Sequence, residues 1–210
     1  TQISSSISSI YLGLTLACML AYGLTGMSWF EATVHALTTV STGGFGTSDT
    51  SFATYSGAAQ YVAVVFMILA ALPFVRYVQM IAGDRLAITR DAQSRAFVIT
   101  ILVLVALASL ALWNTLDHGV EQAFRESLFN ITSIISGTGY ASADYMAWGP
   151  FLVAVFFFIG LIGGCAGSTA CSVKIFRYQI LFASVKLQLQ RIRSPHGVFV
   201  PRFEGRRIGE

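Results

Sequence analysis

The stretch STGGFGTSD at residues 41–49 and the stretch SGTGYASAD at residues 136–144 decide how this sequence folds. We call them the first and the second glycine loop. Each is rich in glycine and hydroxyl residues and ends in an aspartate, yet each lies inside a segment that otherwise has the composition of membrane helices. Backbone groups without partners cost several kcal/mol each in lipid, so such loops must line water or be buried in protein.

The composition is that of an integral membrane protein. Of the 210 residues, 55% are hydrophobic and only 11% are charged, whereas soluble domains carry about 25% charged residues; the mean hydropathy is +0.68. Apolar runs close to the length of a bilayer span cover residues 8–24, 59–75, 96–113 and 149–164. They predict four spans, with a fifth helical segment after Cys171. Thr1 opens no secretory leader, and we expect an internal part of a longer protein.

The basic residues are placed unevenly. Twelve of the 13 lysines and arginines lie either between residues 76 and 95 or from Lys174 onward. Because cytoplasmic loops collect Lys and Arg, both stretches are predicted to face the cytoplasm. A basic tail directly beneath a membrane span needs only this topological reason, so the sequence does not favour nucleic acid as a partner.

The chain contains an internal repeat. A shift of 95 positions aligns Glu31 with Glu126, Ser41 with Ser136, Gly44 with Gly139, Phe45 with Tyr140 and Asp49 with Asp144. Both ends of each copy are expected in the cytoplasm, so the piece between its two spans must enter and leave on the outer side. We predict an all-α integral membrane fold of two membrane–pore–membrane repeats, residues 1–94 and 95–190, followed by a basic cytoplasmic linker, residues 191–210.

The pieces between the spans are predicted to be re-entrant helices. WFEATVHALTTV at 29–40 and FRESLFNITSII at 124–135 are too short to span a bilayer. Each has an acid near its start, Glu31 or Glu126, where the helix dipole favours negative charge, and Ser28 is the expected N-cap of the first helix. Each helix then directs the negative end of its dipole towards the middle of the bilayer, where a cation is the natural ligand.

The glycine loops follow these helices and match a known way of coordinating cations. Glycine adopts positive φ readily, which allows successive carbonyls to face one side, as in the TVGYG loops of potassium channels. TGGFG at 42–46 and GTGYA at 137–141 follow that pattern. The alternative is that small residues only let membrane helices pack closely, which predicts four-residue spacing on continuous spans and no repeated acid, aromatic and aspartate.

These residues resemble the TrkH family, within the Trk/Ktr/HKT superfamily of potassium transporters. The similarity is carried by TTVSTGGFGTSD at 38–49, MILAALPFVRY at 67–77, FNITSIISGTGY at 129–140 and FIGLIGGCAGSTACSVKIFR at 158–177. In that family four membrane–pore–membrane repeats surround one ion path in the bacterial cytoplasmic membrane. The chain resembles the second and third repeats, which implies a multi-pass fragment that needs the remaining two repeats of the same protein.

The resemblance implies a selectivity filter and a charged outer mouth. Filter residues would be Thr42, Gly43, Gly44, Phe45, Gly137, Thr138, Gly139 and Tyr140. Potassium would be coordinated at Thr42, Gly43, Gly44, Gly137, Thr138 and Gly139, and Asp49 and Asp144 would lie at the outer mouth. A serine in place of a filter glycine accompanies sodium transport in plant relatives, so Gly44 and Gly139 favour potassium as the transported ion.

A second feature of the family is a broken helix that obstructs the path below the filter. The corresponding segment is GLIGGCAGSTACSVK, which we call the 160–174 segment. Its implied gate residues are Gly163, Gly164, Cys165, Ala166, Gly167, Ser168, Thr169 and Lys174. The alternative is a kinked helix that only packs against its neighbours.

Other functions are less well supported by the sequence. Sodium or non-selective cation permeation and a non-conducting structural fragment remain open, as does the choice between channel and symporter. An intramembrane enzyme with Cys165 or Ser168 as nucleophile requires a base, and only Lys174 is near. We expect no enzyme, no cofactor, and buried thiols at Cys18, Cys165 and Cys171. The family implies a lipid bilayer, a homodimer and a cytosolic nucleotide-binding regulatory subunit of the TrkA type as partners.

Overall fold

The structure, a computed structural model, is mainly helical and describes residues 2–115, 119–194, 202–203 and 206–207. Its helices are α1 Gln2–Leu24, α2 Trp29–Val40, α3 Gly57–Ala71, α4 Phe74–Ile81, α5 Ala87–Arg90, α6 Ala92–Thr115, α7 Val120–Ser136, α8 Pro150–Ile159 and α9 Ile175–Arg193. Turns of 3-10 helix cover Ser51–Thr54 and Tyr145–Trp148. Strands β1 Ile162–Gly163 and β2 Val173–Lys174 pair in parallel, and β3 Arg202–Phe203 pairs antiparallel with β4 Arg206–Arg207. Most of the basic linker predicted at 191–210 lies outside the described residues.

Within the described part of the chain, two helices are long and apolar enough to cross a membrane without interruption. They are Ser4–Leu24 and Ala92–Asn114, which correspond to the first and third predicted spans. On α1, Leu12, Leu16 and Leu20 are each more than half exposed and follow a four-residue spacing. Such an apolar stripe on an unpartnered helix face fits contact with lipid.

The second predicted span, residues 59–75, is not one straight helix. That run divides into α3 and α4, which meet at an angle of 87°. Pro73 lacks the N–H needed for a helical hydrogen bond and disfavours helical geometry in the preceding residue. Leu72 accordingly adopts extended φ and ψ of −82° and 157°.

The fourth apolar run forms a helix of only ten residues, α8. The chain then leaves helical geometry through the 160–174 segment, and the parallel pairing of Ile162 with Val173 closes this segment at its base. Helix α9 follows from Ile175 and is the helical segment expected after Cys171.

The two short helices of the repeat differ in length. Helix α2 has the bounds expected from the sequence, and Ser28 caps it as predicted. Helix α7 has 17 residues and begins at Val120, four residues before the predicted start. Glu126 therefore lies in the second turn and is buried, and the acid of the first turn is Glu121.

The core joins the two halves of the chain. Helices α1, α2 and α3 bury Cys18, Tyr22 and Met67 together with Phe129 and Tyr140 of the second half. A second cluster lies mainly among α6, α7, α8 and the 160–174 segment. Cys18 and Cys165 are buried as expected, but Cys171 is exposed because it lies at the surface of the 160–174 segment.

Candidate ion-coordinating site

The first short helix is fixed at its N-terminus by a complete capping box. The Ser28 hydroxyl accepts from the Glu31 amide, and the Glu31 carboxylate accepts from the Ser28 amide at 3.1 Å. The Ser28 hydroxyl also donates to the Glu31 carboxylate at 2.7 Å. The bonds that this carboxylate accepts from the hydroxyl and from the amide of Ser28 lower the pKa of the Glu31 carboxyl because they stabilise its charged form. The orientation of α2 is thereby set where the chain enters it, and its C-terminal end presents the first glycine loop.

The amides of both glycine loops are tied back to the helix that precedes them. The Thr38 carbonyl accepts from Gly43 at 2.7 Å and from Gly44 at 3.5 Å. Ninety-five residues later, the Ser133 carbonyl accepts from the amides of the second loop, Thr138 at 2.9 Å and Gly139 at 3.3 Å.

This arrangement fixes the direction of the loop carbonyls. In a trans peptide, the N–H of one residue and the C=O of the residue before it point in opposite directions. The carbonyls of Thr42 and Gly43, and those of Gly137 and Thr138, therefore point away from the helix ends. None of these four carbonyls accepts a hydrogen bond from another described residue, and carbonyls of this kind can replace a cation's hydration shell.

The backbone conformations of the two loops match at corresponding positions. Thr42 and Gly44 have φ of 53° and 71°, and their counterparts Gly137 and Gly139 have 76° and 83°. Positive φ is readily adopted by glycine and uncommon for a β-branched residue. The two loops also meet, because a Cβ added to Gly44 would collide with the carbonyl oxygen of Thr138.

The aromatic residues of the two loops lie in different surroundings. Phe45 is 74% exposed, whereas Tyr140 is 1% exposed and packs behind the first loop. The carbonyl of Phe45 accepts a hydrogen bond of 2.7 Å from the Thr38 hydroxyl, so it is directed towards α2.

Both aspartates predicted at the outer mouth are exposed. The Asp144 carboxylate accepts from the Met146 amide at 3.0 Å and caps a turn. Another acid of this region, Glu121, forms an ion pair of 2.9 Å with Arg125 and accepts from the hydroxyl of Tyr61. Its charge is therefore partly neutralised, which leaves the aspartates as the better candidates for attracting cations.

The 160–174 segment contacts both glycine loops. The Thr42 hydroxyl donates to the Thr169 carbonyl at 2.8 Å, and the Cys171 amide donates to the Ser136 carbonyl at 3.3 Å. A Cβ on Gly137 would lie 2.6 Å from the Cβ of Cys171. All the predicted gate residues thus belong to a segment packed directly against the candidate site.

The same segment fills the break between α3 and α4. The Ala71 carbonyl accepts from the Cys165 amide at 3.0 Å, and the Ala70 carbonyl accepts from the Thr169 hydroxyl at 3.1 Å. In return, the Phe74 amide donates to the Gly167 carbonyl at 3.0 Å. Pro73 leaves backbone groups of α3 and α4 without helical hydrogen bonds, and the 160–174 segment supplies partners for them. Backbone polar groups inside a membrane need such partners.

Two further contacts hold the middle of the segment and its C-terminal end. The Ala166 amide donates to Oε1 of Gln93, near the start of α6, at 3.0 Å. At the C-terminal end, the Lys174 ammonium group donates to the Ala170 carbonyl. Lys174 therefore stabilises the conformation of the segment through this hydrogen bond, in addition to carrying a positive charge.

Sequence reasoning missed several residues that shape the site. Pro73 interrupts an apolar run and is a recognisable break signal. The roles of Thr38, Gln93 and the Tyr140 hydroxyl have no such signal, since each depends on a contact across the fold. In the described ranges, no group of three or more His, Cys, Asp or Glu side chains is placed to hold a metal ion.

Comparison with known proteins assigns the chain to a family. The family model described as cation transport protein, TrkH, matches residues 2–210. Among curated relatives, the Trk system potassium uptake protein TrkI of Halomonas elongata is 40% identical over 199 residues, which cover 93% of this chain and 40% of the relative. TrkH of Escherichia coli K12 is 28% identical over 204 residues, 96% of this chain and 42% of the relative.

The fold has a solved counterpart. The crystal structure of the potassium transporter TrkH from Vibrio parahaemolyticus superimposes with a TM-score of 0.92 at 30% identity, over 97% of this chain and 45% of that chain. The chain thus spans less than half the length of these relatives. All are transporters, which confirms the prediction that this is not an enzyme. The family match and the superposition together establish that the chain belongs to the TrkH family of cation transport proteins.

Proposed function

We propose that this chain supplies two of the walls of a selective potassium path across the bacterial cytoplasmic membrane. The observation that carries the proposal is the pair of glycine loops whose amides bond back to Thr38 and Ser133, which leaves the intervening carbonyls free for a cation. The curated relatives are named potassium uptake proteins, and potassium is the ion that the glycines at 44 and 139 favour. The remaining walls belong to the rest of the full-length protein.

The membrane arrangement follows from the same proposal. Helices α2 and α7 enter from the outer side and end near mid-membrane, where their carbonyl ends favour a cation. Asp49 and Asp144 lie at the outer entrance, where exposed negative charge raises the local cation concentration. The basic residues between 76 and 95 then face the cytoplasm.

The 160–174 segment is the proposed gate. Its contacts with the first glycine loop through Thr169 and with the second through Cys171 support a position next to the filter, on the path of an ion that leaves it. An obstruction there opposes every ion equally, whereas the carbonyls above it set the preference among ions. The partners proposed from family membership are a second copy of the protein and a cytosolic nucleotide-binding subunit.

The proposal is tested by ion competition with the full-length protein in liposomes. We expect potassium to inhibit rubidium uptake at far lower concentration than sodium does. The informative variant is Gly139→Ser, with Gly149→Ser as its control. Both glycines have positive φ, 83° and 96°, and in both an added Cβ meets no atom within 4 Å, but only Gly139 lies in a glycine loop.

The two variants should differ in their preference for potassium over sodium. Gly139→Ser should weaken the preference for potassium over sodium, because the new side chain restricts φ and adds a hydroxyl beside the carbonyls. Gly149→Ser should keep the wild-type preference. Equal competition by the two ions in the wild type, or an unchanged preference in Gly139→Ser, would contradict the proposed filter.

A further inference from the structure

The side chain of Tyr140 crosses from the second half of the molecule into the first. Although Tyr140 lies in the second glycine loop, its ring centroid is 4.6 Å from that of Phe52, and its hydroxyl is 2.5 Å from Oγ1 of Thr38 on α2. The repeat-related residue, Phe45, has no hydroxyl and is largely exposed. The hydroxyl of Thr38's own counterpart, Ser133, has no hydrogen-bond partner among the described residues. The contact is therefore specific to the second loop within this part of the chain.

The carbonyl oxygens around Thr38 indicate which hydroxyl donates the hydrogen bond between Thr38 and Tyr140. Its hydroxyl lies 2.7 Å from the carbonyl oxygen of Phe45, 3.0 Å from that of Val34 and 3.3 Å from that of His35. Carbonyl oxygens only accept, and a threonine hydroxyl has a single proton. The Tyr140 hydroxyl also has carbonyl oxygens in reach, His35 at 3.3 Å and Phe45 at 3.5 Å, but both are farther away than Thr38. The shortest contacts are therefore satisfied together when Thr38 donates to the Phe45 carbonyl and accepts from Tyr140.

Two more hydroxyls extend the same chain away from the loops. Oγ1 of Thr39 donates to the Tyr140 hydroxyl at 3.4 Å, and the Tyr22 hydroxyl lies 2.8 Å from Oγ1 of Thr39. Since the proton of Thr39 is used, Tyr22 donates to it. The four hydroxyls run in one direction and end on the Phe45 carbonyl, and such chains strengthen each member by polarisation.

The end of this chain is next to the closest approach of the two loops. Phe45 directly follows Gly44, whose Cα packs against the Thr138 carbonyl. Fixing the Phe45 carbonyl therefore fixes the peptide beside that contact. The second loop is joined to the first at two points, in front through Thr138 and behind through Tyr140.

We propose that Tyr140 is a positioning residue of the filter, which acts through Thr38 on the Phe45 carbonyl and so sets the spacing of the two loops and the ion preference. This inference rests on the proposed function. It reassigns Tyr140 from an ion-lining residue to a support behind the filter, and it assigns a role to Thr38, which lies outside the loops.

The test compares ion preference in the full-length protein, measured as uptake per folded protein with potassium and sodium in competition. Tyr140→Phe keeps the ring and removes only the hydroxyl. Loss of one buried hydrogen bond is expected to lower the potassium preference about three- to tenfold. Tyr22→Phe is the matched control, because it removes a buried hydroxyl from the far end of the same chain, and its preference should change less than about twofold.

Variants of Thr38 separate a positioning role from simple packing. Thr38→Val keeps the branched shape and should reproduce the loss seen in Tyr140→Phe, whereas Thr38→Ser keeps the hydroxyl and should retain the wild-type preference. The double variant Thr38→Val with Tyr140→Phe should be no worse than either single variant, since both remove the same link.

The outcomes distinguish this inference from the function on which it rests. A wild-type protein without potassium preference would contradict both. A selective wild type whose preference is retained in Tyr140→Phe and Thr38→Val would contradict this inference alone. A loss in Tyr22→Phe as large as that in Tyr140→Phe would show general packing instead of positioning.

Discussion

The hydroxyl of Thr42 lies 2.8 Å from the carbonyl oxygen of Thr169, 127 residues later in the chain, and shares its proton between this oxygen and that of Ser41 at 2.7 Å. Thr42 belongs to the first glycine loop and has a φ of 53°, which a β-branched residue adopts only when its surroundings impose it. Thr169 belongs to the 160–174 segment. A displacement of that segment would therefore remove a contact that supports the loop conformation, so the proposed gate and the proposed filter share a direct connection.

Gln93 allows the proposed gate to be tested without a change in either glycine loop. Its side chain accepts from the Ala166 amide, and the hydrogen bonds of the described residues include none between it and either glycine loop. Gln93→Met keeps the side-chain length and removes this bond, which should loosen the segment and raise uptake about twofold or more for a bond of roughly 0.5–1.5 kcal/mol. Potassium and sodium uptake measured per folded protein should rise together.

The control for this prediction is Gln79→Met. Gln79 is exposed and accepts a hydrogen bond from Arg76, and its bonding does not involve the 160–174 segment. We expect wild-type uptake from it. Reduced uptake in Gln93→Met at a normal yield of folded protein would oppose the assignment of the segment as an obstruction.

The two glycines proposed for the filter, Gly44 and Gly139, should differ in their tolerance of a methyl group. Gly44→Ala places Cβ against the Thr138 carbonyl in addition to the cost of positive φ, whereas Gly139→Ala meets no atom within 4 Å. Overpacking costs about 1–3 kcal/mol, and left-handed geometry costs a residue with a side chain about 1–2 kcal/mol. Thermal unfolding of the purified full-length variants should rank Gly44→Ala as clearly less stable. Equal stability would show that the two loops are not in contact.

Asp49 is the better aspartate for testing the outer mouth, because Asp144 also caps a turn. Asp49→Asn should lower potassium uptake at low ionic strength and have little effect at high salt, since screening removes attraction over more than about 10 Å at 0.1 M. The measurement is initial uptake rate as a function of external salt. An equal loss at every salt concentration would indicate misfolding.

Sidedness is testable by chemical labelling. In a full-length protein without reactive native thiols, a membrane-impermeant thiol reagent added outside should modify Asp49→Cys and spare Arg85→Cys. The reason is the uneven placement of basic residues, which predicts a cytoplasmic position for Arg85. Labelling of Arg85→Cys together with protection of Asp49→Cys would reverse the proposed orientation.

Local sequence patterns predicted much of this fold. The bounds of α2 and its Ser28 cap followed from a capping residue and a short amphipathic stretch. The early start of α7 was missed because its N-cap is Gly119 and no side chain caps it, so nothing marks the boundary at Val120. The break at Pro73 was overlooked within an apolar run, although proline is its physical cause.

Features that depend on contacts between distant segments could not be predicted from the sequence. Positive φ at Gly44 and Gly139 is expected of glycine, but positive φ at Thr42 depends on a partner in the 160–174 segment. The exposure of Cys171 and the burial of Tyr140 likewise depend on how distant segments pack. A repeat of residue types does not reveal that Phe45 and Tyr140 occupy different surroundings.

The central claim is that the carbonyls of the two glycine loops hold a potassium ion. Its most direct test is a crystal structure of the full-length protein grown with rubidium or thallium, ions that substitute for potassium and scatter anomalously. The account predicts anomalous density between the carbonyls of Thr42 to Gly44 and those of Gly137 to Gly139. Ordered loops with no density between them, and density elsewhere along the path, would contradict it.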